Sequence, residues 1–153
     1  MNHHRIAVIP GDNSGPEVVA AGLRVLERLQ ALGYVRFTHE TFPWGARHFL
    51  ATGRAAPENI REILRDFDVI YMGAHGDPAH VPDQIGSQQL MHPMRKGFDL
   101  FANVRPIKWY PGTETPLKQS DPIDIVVVRE NTEGEYAAHG YLPCPAPIAT
   151  RGL

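Results

Sequence analysis

The apolar positions of this chain switch repeatedly between the period of a strand and the period of a helix. Residues 5–9, RIAVI, form a short β-branched run that predicts a buried strand. PGDNSGPE follows as a run of turn formers. From Val18 to Leu32 the apolar residues recur at helical spacing, with Val19, Leu23, Leu26 and Leu29 in one stripe and Val18, Val25 and Leu32 beside it. Pro16 and Glu17 suit a first helical turn, where a missing N–H costs nothing and a carboxylate meets the positive dipole end. Gly33 ends the helix. The opening unit is therefore expected to be strand, glycine-containing turn, helix.

The pattern continues in the same manner. Val35 to Phe42 alternates as a second strand, and PWGARHFLATGRAAP reads as a loop with one helical turn, its Trp44 and Phe49 in satellite core. Glu58 to Phe67 is an amphipathic helix with Ile60, Ile63, Leu64 and Phe67 on one side, and Val69 to Gly73 a third strand. Gln88 to Gly97 reads as a short helix, kinked or started at Pro93. Leu100 to Pro106 reads as a strand that Pro106 ends. After the turn-rich connector KWYPGTETPLKQSDP, Ile123 to Val128 is a strand with Arg129 and Glu130 at its carboxyl end, and NTEGEY turns into a short strand holding Tyr136. Pro143, Pro145 and Pro147 forbid regular structure in the last segment, which reads as a loose tail. Alternating strands and helices predict an α/β fold with a mostly parallel sheet and flanking helices.

Composition narrows the class. The 153 residues suit one compact domain, and 42% apolar with 21% charged residues is ordinary for a soluble protein. A net charge of −2 gives no footprint for nucleic acid and no polybasic membrane patch. No run approaches the roughly 20 apolar residues of a spanning helix. The first residues lead straight into a strand pattern, without the regions of a secretory signal. The one cysteine, Cys144, excludes an internal disulfide and fits a reducing cytoplasm, the expected location.

Candidate chemistry lies in three places. The PGDNSGPE turn is open to two readings, a phosphate or cofactor loop at a helix N-terminus and a plain connection. The dinucleotide and phosphate-loop glycine fingerprints are both missing, which favours the plain connection. The polar loop AHGDPAHVPDQIGSQQ follows the third strand, where open α/β sheets bind ligands. Its His75, Asp77 and His80, with His92 beyond, match no compact metal spacing and are read as solvated or capping. Lastly, Arg95 and Arg105 flank the apolar run of MRKGFDLFANVRP, and Arg129 closes IVVVR. Arginine clamps carboxylates through two parallel charge-assisted hydrogen bonds. The partner anion here is either a ligand carboxylate or one of Asp99, Glu130, Glu133 and Glu135. Tyr136 is open to acid–base and core readings alike.

Three segments taken in order, IAVIPGD-x-x-GPEV, MRKGFDLFANVRP and VVVRENTEGEY, resemble the N-terminal part of the metal-dependent β-decarboxylating dehydrogenases. These are the isocitrate, 3-isopropylmalate and tartrate/D-malate dehydrogenases. ENTEGEY and HGDPAHVPD look nearest the tartrate/D-malate branch, and the resemblance covers about Arg5 to Tyr136. It implies an isopropylmalate-dehydrogenase-like fold and a homodimer, and the charge balance adds the expectation of no nucleic-acid or membrane partner. The implied reaction is NAD-dependent oxidation and decarboxylation of a 2-hydroxy dicarboxylic acid chelated by Mg2+ or Mn2+. It further implies that Arg95, Arg105 and Arg129 hold the substrate carboxylates and that Tyr136 protonates the enolate. Gly76, Asp77 and Pro78 match the nicotinamide side of the cofactor site, and Met91 the position that meets the substrate's variable group.

Two departures qualify the resemblance. The usual GDGIGPE is GDNSGPE here, so Asn13 and Ser14 replace Gly and Ile. Asparagine tolerates a left-handed backbone, but an apolar contact is lost. The lysine base, the metal ligands, the adenine-binding segment and the returning half of the first domain are expected in a missing C-terminal part. The implied domains are residues 1–98, the start of the cofactor-side domain, then 99–136, the start of the substrate and dimer domain, then a divergent Pro-rich tail at 137–153. The expectation is a truncated dehydrogenase inactive alone, or else a non-catalytic binding or regulatory remnant.

Overall fold

The computed structural model describes residues 2–118 and 122–132. Tyr136 and the Pro-rich segment lie outside the described residues. The chain divides into two compact units, the first running from Met1 to Leu100 and the second beginning at Phe101.

In the first unit, β1 (His3–Ile9), α1 (Gly15–Ala31), β2 (Arg36–Thr41), α2 (Ala46–Thr52), α3 (Ile60–Leu64) and β3 (Val69–Met72) follow one another. They are succeeded by α4 (Asp83–Gly86), a π-helical turn (Ser87–Met91) and α5 (His92–Gly97). The strands form a parallel sheet in the order β2-β1-β3, with Ala7 paired to Glu40 and to Ile70. Because successive side chains alternate across a strand, β1 feeds two cores. Ile6 and Val8 pack with Val19 of α1 and Phe37 of β2. Ala7 and Ile9 pack with Trp44, Ile60, Leu64, Leu90 and Met94. Each fully buried Leu or Ile here contributes about 1.5–3 kcal/mol of transfer free energy. This is the α/β arrangement of parallel strands and flanking helices that the periodicity implies. The expected stripe of α3 is also present, with Ile60 and Leu64 buried and Ile63 and Phe67 packed against them.

Two elements of this unit differ from the reading of the sequence. Residues 46–52 form a true helix, and Trp44 is buried in the main core, its ring 4.6 Å from that of Phe42. The helix expected from Gln88 begins earlier, at Asp83. Pro93 is tolerated inside this helical stretch by the π turn just before it. A proline ring collides with the carbonyl four residues back, and the wider π turn moves the preceding carbonyls outward.

The second unit contains β4 (Ala102–Lys108) and β5 (Asp124–Glu130), paired antiparallel. β4 runs through Pro106 rather than stopping there. The Trp109 N–H bonds to the Ile123 carbonyl at 2.9 Å, which fixes the phase of the ladder. Hydrogen-bonded pairs alternate with non-bonded ones, so Pro106 opposite Val126 is a non-bonded pair. The N–H that proline lacks would point away from β5, and the strand loses nothing. Among the described residues no helix is long and apolar enough to cross a membrane.

Candidate active site

The carboxyl ends of β1 and β3 lie side by side, and the loops that leave them are bound together. Asp12, in the turn after β1, is 6% exposed although it carries a carboxylate. Its Oδ1 accepts the Ala46 N–H at 2.8 Å and its Oδ2 accepts the Gly76 N–H at 2.9 Å. Its own N–H donates to the Ala74 carbonyl at 2.7 Å. Asn13 then donates from Nδ2 to the Gly76 carbonyl at 2.7 Å. Charge-assisted bonds to backbone N–H groups offset the desolvation of the buried carboxylate. One short turn thus joins the start of α2 and the loop after β3. Asp12 and Asn13 of the PGDNSGPE turn make these contacts inside the protein.

The loop residues Gly76, Asp77 and Pro78 sit at the end of the sheet where open α/β folds take ligands. Gly76 has φ +106, a conformation that side chains rarely adopt. Asp77 accepts the Val81 and His80 N–H groups on its carbonyl and pairs with His80 Nδ1 at 2.9 Å through Oδ2. The enclosed space beneath the loop, bounded by Asp12, Gly76, Asp77 and Val81 among others, is about 10 Å³. That is room for a single water at most.

Met91 closes the π turn and packs half-buried against the main core. Arg95 follows one helical turn later, in α5, and is likewise half-buried. Between them His92 has its pKa lowered, first by burial and then by the charges of Lys96 and Arg95. The unfolded chain therefore binds the proton more readily. Stability from this group is complete above the ordinary histidine pKa of about 6.5 and is lost as pH falls from there toward the lower folded value. Replacing His92 by glutamine is expected to flatten the pH dependence of urea midpoints as pH falls below the ordinary histidine pKa of about 6.5. Parallel curves for parent and variant would remove His92 as the cause.

In the second unit the β4–β5 register gathers the other two arginines. Asn103 lies opposite Arg129 and Arg105 opposite Val127. Asn103, Arg105, Val127 and Arg129 therefore share one face, with the arginines as diagonal neighbours about 7–8 Å apart. Each is fixed by an asparagine two residues away. Arg105 Nε donates to Asn103 Oδ1 at 3.1 Å, and Arg129 Nη2 donates to Asn131 Oδ1 at 3.0 Å. Asn131 is buried. Arg105 is exposed in mid-strand rather than at a strand end, and among the described residues it makes no ion pair with a carboxylate. The Glu130 carboxylate accepts both the N–H and the hydroxyl of Thr132, at 2.7 and 2.6 Å, and so shapes the turn after β5.

The structure thus brings Arg105 and Arg129 together on one face, and Gly76 to Asp12 and Asn13. It puts Met91 and Arg95 one turn apart in the first unit. Tyr136 lies outside the described residues. Reasoning from the sequence missed Asp12 and the two asparagines that orient the arginines. Asx residues in tight turns are prone to bond backbone, a signal that flags Asp12 and Asn13 but not their partners. Among the described residues no group of three or more His, Cys, Asp or Glu is arranged to hold a metal ion.

The family model for isocitrate/isopropylmalate dehydrogenase matches residues 5–146. The chain belongs to this family. The match runs past Tyr136, where the resemblance read from the sequence stops, and into the Pro-rich segment. A probable tartrate dehydrogenase/decarboxylase of Agrobacterium vitis is 47% identical over 143 residues, covering 92% of this chain and 40% of the relative. A 3-isopropylmalate dehydrogenase of Thermobifida fusca is 43% identical over 138 residues, covering 89% of this chain and 39% of the relative. Among solved structures, an isocitrate dehydrogenase of Methylococcus capsulatus superposes with TM-score 0.68 at 31% identity, over 88% of this chain and 37% of that one. The apo β-decarboxylating dehydrogenase of Thermococcus kodakarensis gives TM-score 0.61 at 35% identity, over 86% of this chain and 35% of that one. The chain spans about 40% of the length of the curated relatives it matches.

Proposed function

We propose that this chain carries the carboxylate clamp and the nicotinamide-side loop of an NAD-dependent decarboxylating dehydrogenase. Its substrate is a 2-hydroxy dicarboxylic acid of the tartrate, D-malate or 3-isopropylmalate type. The observation that carries this reading is the pairing of Arg105 and Arg129 on one face, each oriented by an asparagine. Two guanidinium forks at fixed spacing suit two carboxylate oxygens groups of one small molecule. By resemblance to the family, Arg95 is a further carboxylate-binding residue, and Met91, apolar, receives the substrate's variable group. Gly76, Asp77 and Pro78 lie along the nicotinamide. NAD, when bound, supplies the hydride acceptor, and a divalent Mg2+ or Mn2+ is held by residues not assigned in this chain. Tyr136 delivers a proton from its phenol to the carbon that loses carbon dioxide. The working partner is a second copy of the same protein, in the cytoplasm.

The test is direct. Calorimetric titration of the 153-residue chain with D-malate, tartrate and 3-isopropylmalate is expected to give saturable binding of at least one. With NAD and Mn2+ added, the chain alone is expected to form no NADH at 340 nm. Metal-dependent NADH formation would overturn the inactive reading. Absence of binding to all three acids would overturn the clamp and favour a non-catalytic remnant of the family.

A further inference from the structure

We propose that Asp12 and Asn13 are positioning residues that clamp the Gly76 peptide and so set the conformation in which the loop 76–78 meets its ligand. The inference rests on the nicotinamide-side reading of that loop. Both backbone polar groups of Gly76 are engaged, the N–H by Asp12 Oδ2 at 2.9 Å and the carbonyl by Asn13 Nδ2 at 2.7 Å. The two holding side chains are consecutive and sit 64 and 63 residues earlier in the chain. Gly76 has φ +106, so its peptide has wide conformational freedom that these two bonds remove. A loop held in its binding conformation loses less entropy when a ligand arrives.

In the motif that this turn resembles, GDGIGPE, glycine stands at this place and has no side-chain donor, whereas Asn13 brings one. Asn13 adopts φ 50, the left-handed conformation glycine takes freely. It keeps the turn and adds a tether, so the departure from the motif changes the loop rather than damaging it. Asp12 supplies the first bond and also fixes the start of α2 through Ala46.

The test separates the tether from the fold and from the cofactor. Asn13→Gly keeps the backbone conformation and removes the donor, and Asn13→Asp keeps the size and removes the donor. Both are expected to leave Tm within a few degrees of the parent. Amide exchange at Gly76, read by NMR, is expected to speed up about five-fold, the loss of about one hydrogen bond. Affinity for NADH, read by fluorescence, is expected to fall by a similar factor. Asp12→Asn, which leaves one carbonyl acceptor for two donors, is expected to extend the exchange effect to Ala46. Unchanged exchange at Gly76 in both Asn13 variants overturns the clamp, whatever NADH does. Faster exchange with unchanged NADH affinity overturns its role toward the ligand. A parent chain that binds neither NADH nor reduced nicotinamide mononucleotide, which needs no adenine segment, overturns the cofactor reading of the loop, while the exchange data still decide the clamp.

Discussion

Gly11→Ala is expected to destabilise the chain by about 2–5 kcal/mol. Gly11 has φ +76, and a Cβ there would stand 2.0 Å from the Ala74 carbonyl oxygen and 2.9 Å from its carbon. The left-handed backbone alone costs an alanine about 1–2 kcal/mol. The clash is with backbone, which cannot swing aside as a side chain would, so a shift of the overpacking kind adds about 1–3 kcal/mol. Any such shift also pulls on the adjacent bond from the Asp12 N–H to Ala74, 2.7 Å long. The sum is a large fraction of the roughly 5–15 kcal/mol that holds an ordinary domain together. Gly33 provides the control. Its φ is +80, yet nothing lies within 4 Å of a Cβ built on it. Gly33→Ala is therefore expected to cost only the conformational part, about 1–2 kcal/mol. Urea unfolding followed by the fluorescence of buried Trp44 measures both. Equal midpoint shifts for the two variants would mean that the close approach of the β1 and β3 loops contributes nothing.

That comparison also marks the limit of what the sequence reveals. β1 was legible because RIAVI is short, β-branched and apolar on both faces, which is what a central parallel strand requires. The stripe of α3 was legible because helical periodicity is local. The bond from Asp12 to Gly76 was not, since no local pattern links residues 64 apart. Pro93 and Pro106 misled for a related reason. Proline's penalties depend on which carbonyl or which ladder position it meets. At Pro93 that is decided by a π turn, and at Pro106 by the phase of the partner strand. The arginines were visible as a group, but that Arg105 and Arg129 share a face follows only from the register with β5. A slip of one residue would have put them on opposite faces. Asn103, by contrast, stood within the motif and went unnoticed because its task is to orient Arg105.

Arg105→Ala is expected to weaken binding of the 2-hydroxy dicarboxylate by about 100-fold, or about 2.7 kcal/mol. Two charge-assisted hydrogen bonds of a bidentate contact are worth that much even at a partly hydrated site. The two guanidiniums repel each other by on the order of 1 kcal/mol at their diagonal spacing, and a bound dianion relieves this. Arg105→Lys keeps the charge and loses the planar fork, and is expected to recover only part of the affinity, to within about ten-fold of the parent. Asn103→Ala removes the bond at 3.1 Å that aims Arg105 and is expected to weaken binding about five-fold. Val104, exposed on the other face of the ribbon, is the control, and Val104→Ala is expected to leave affinity unchanged. Raising the salt concentration is expected to weaken binding to the parent more than to Arg105→Ala, because part of the attraction is screened. Calorimetric titration of the acid that binds the parent chain ranks the four variants. Equal affinities for Arg105→Ala and Val104→Ala would detach the arginine pair from substrate binding and leave the shared face of β4 and β5 without a ligand role.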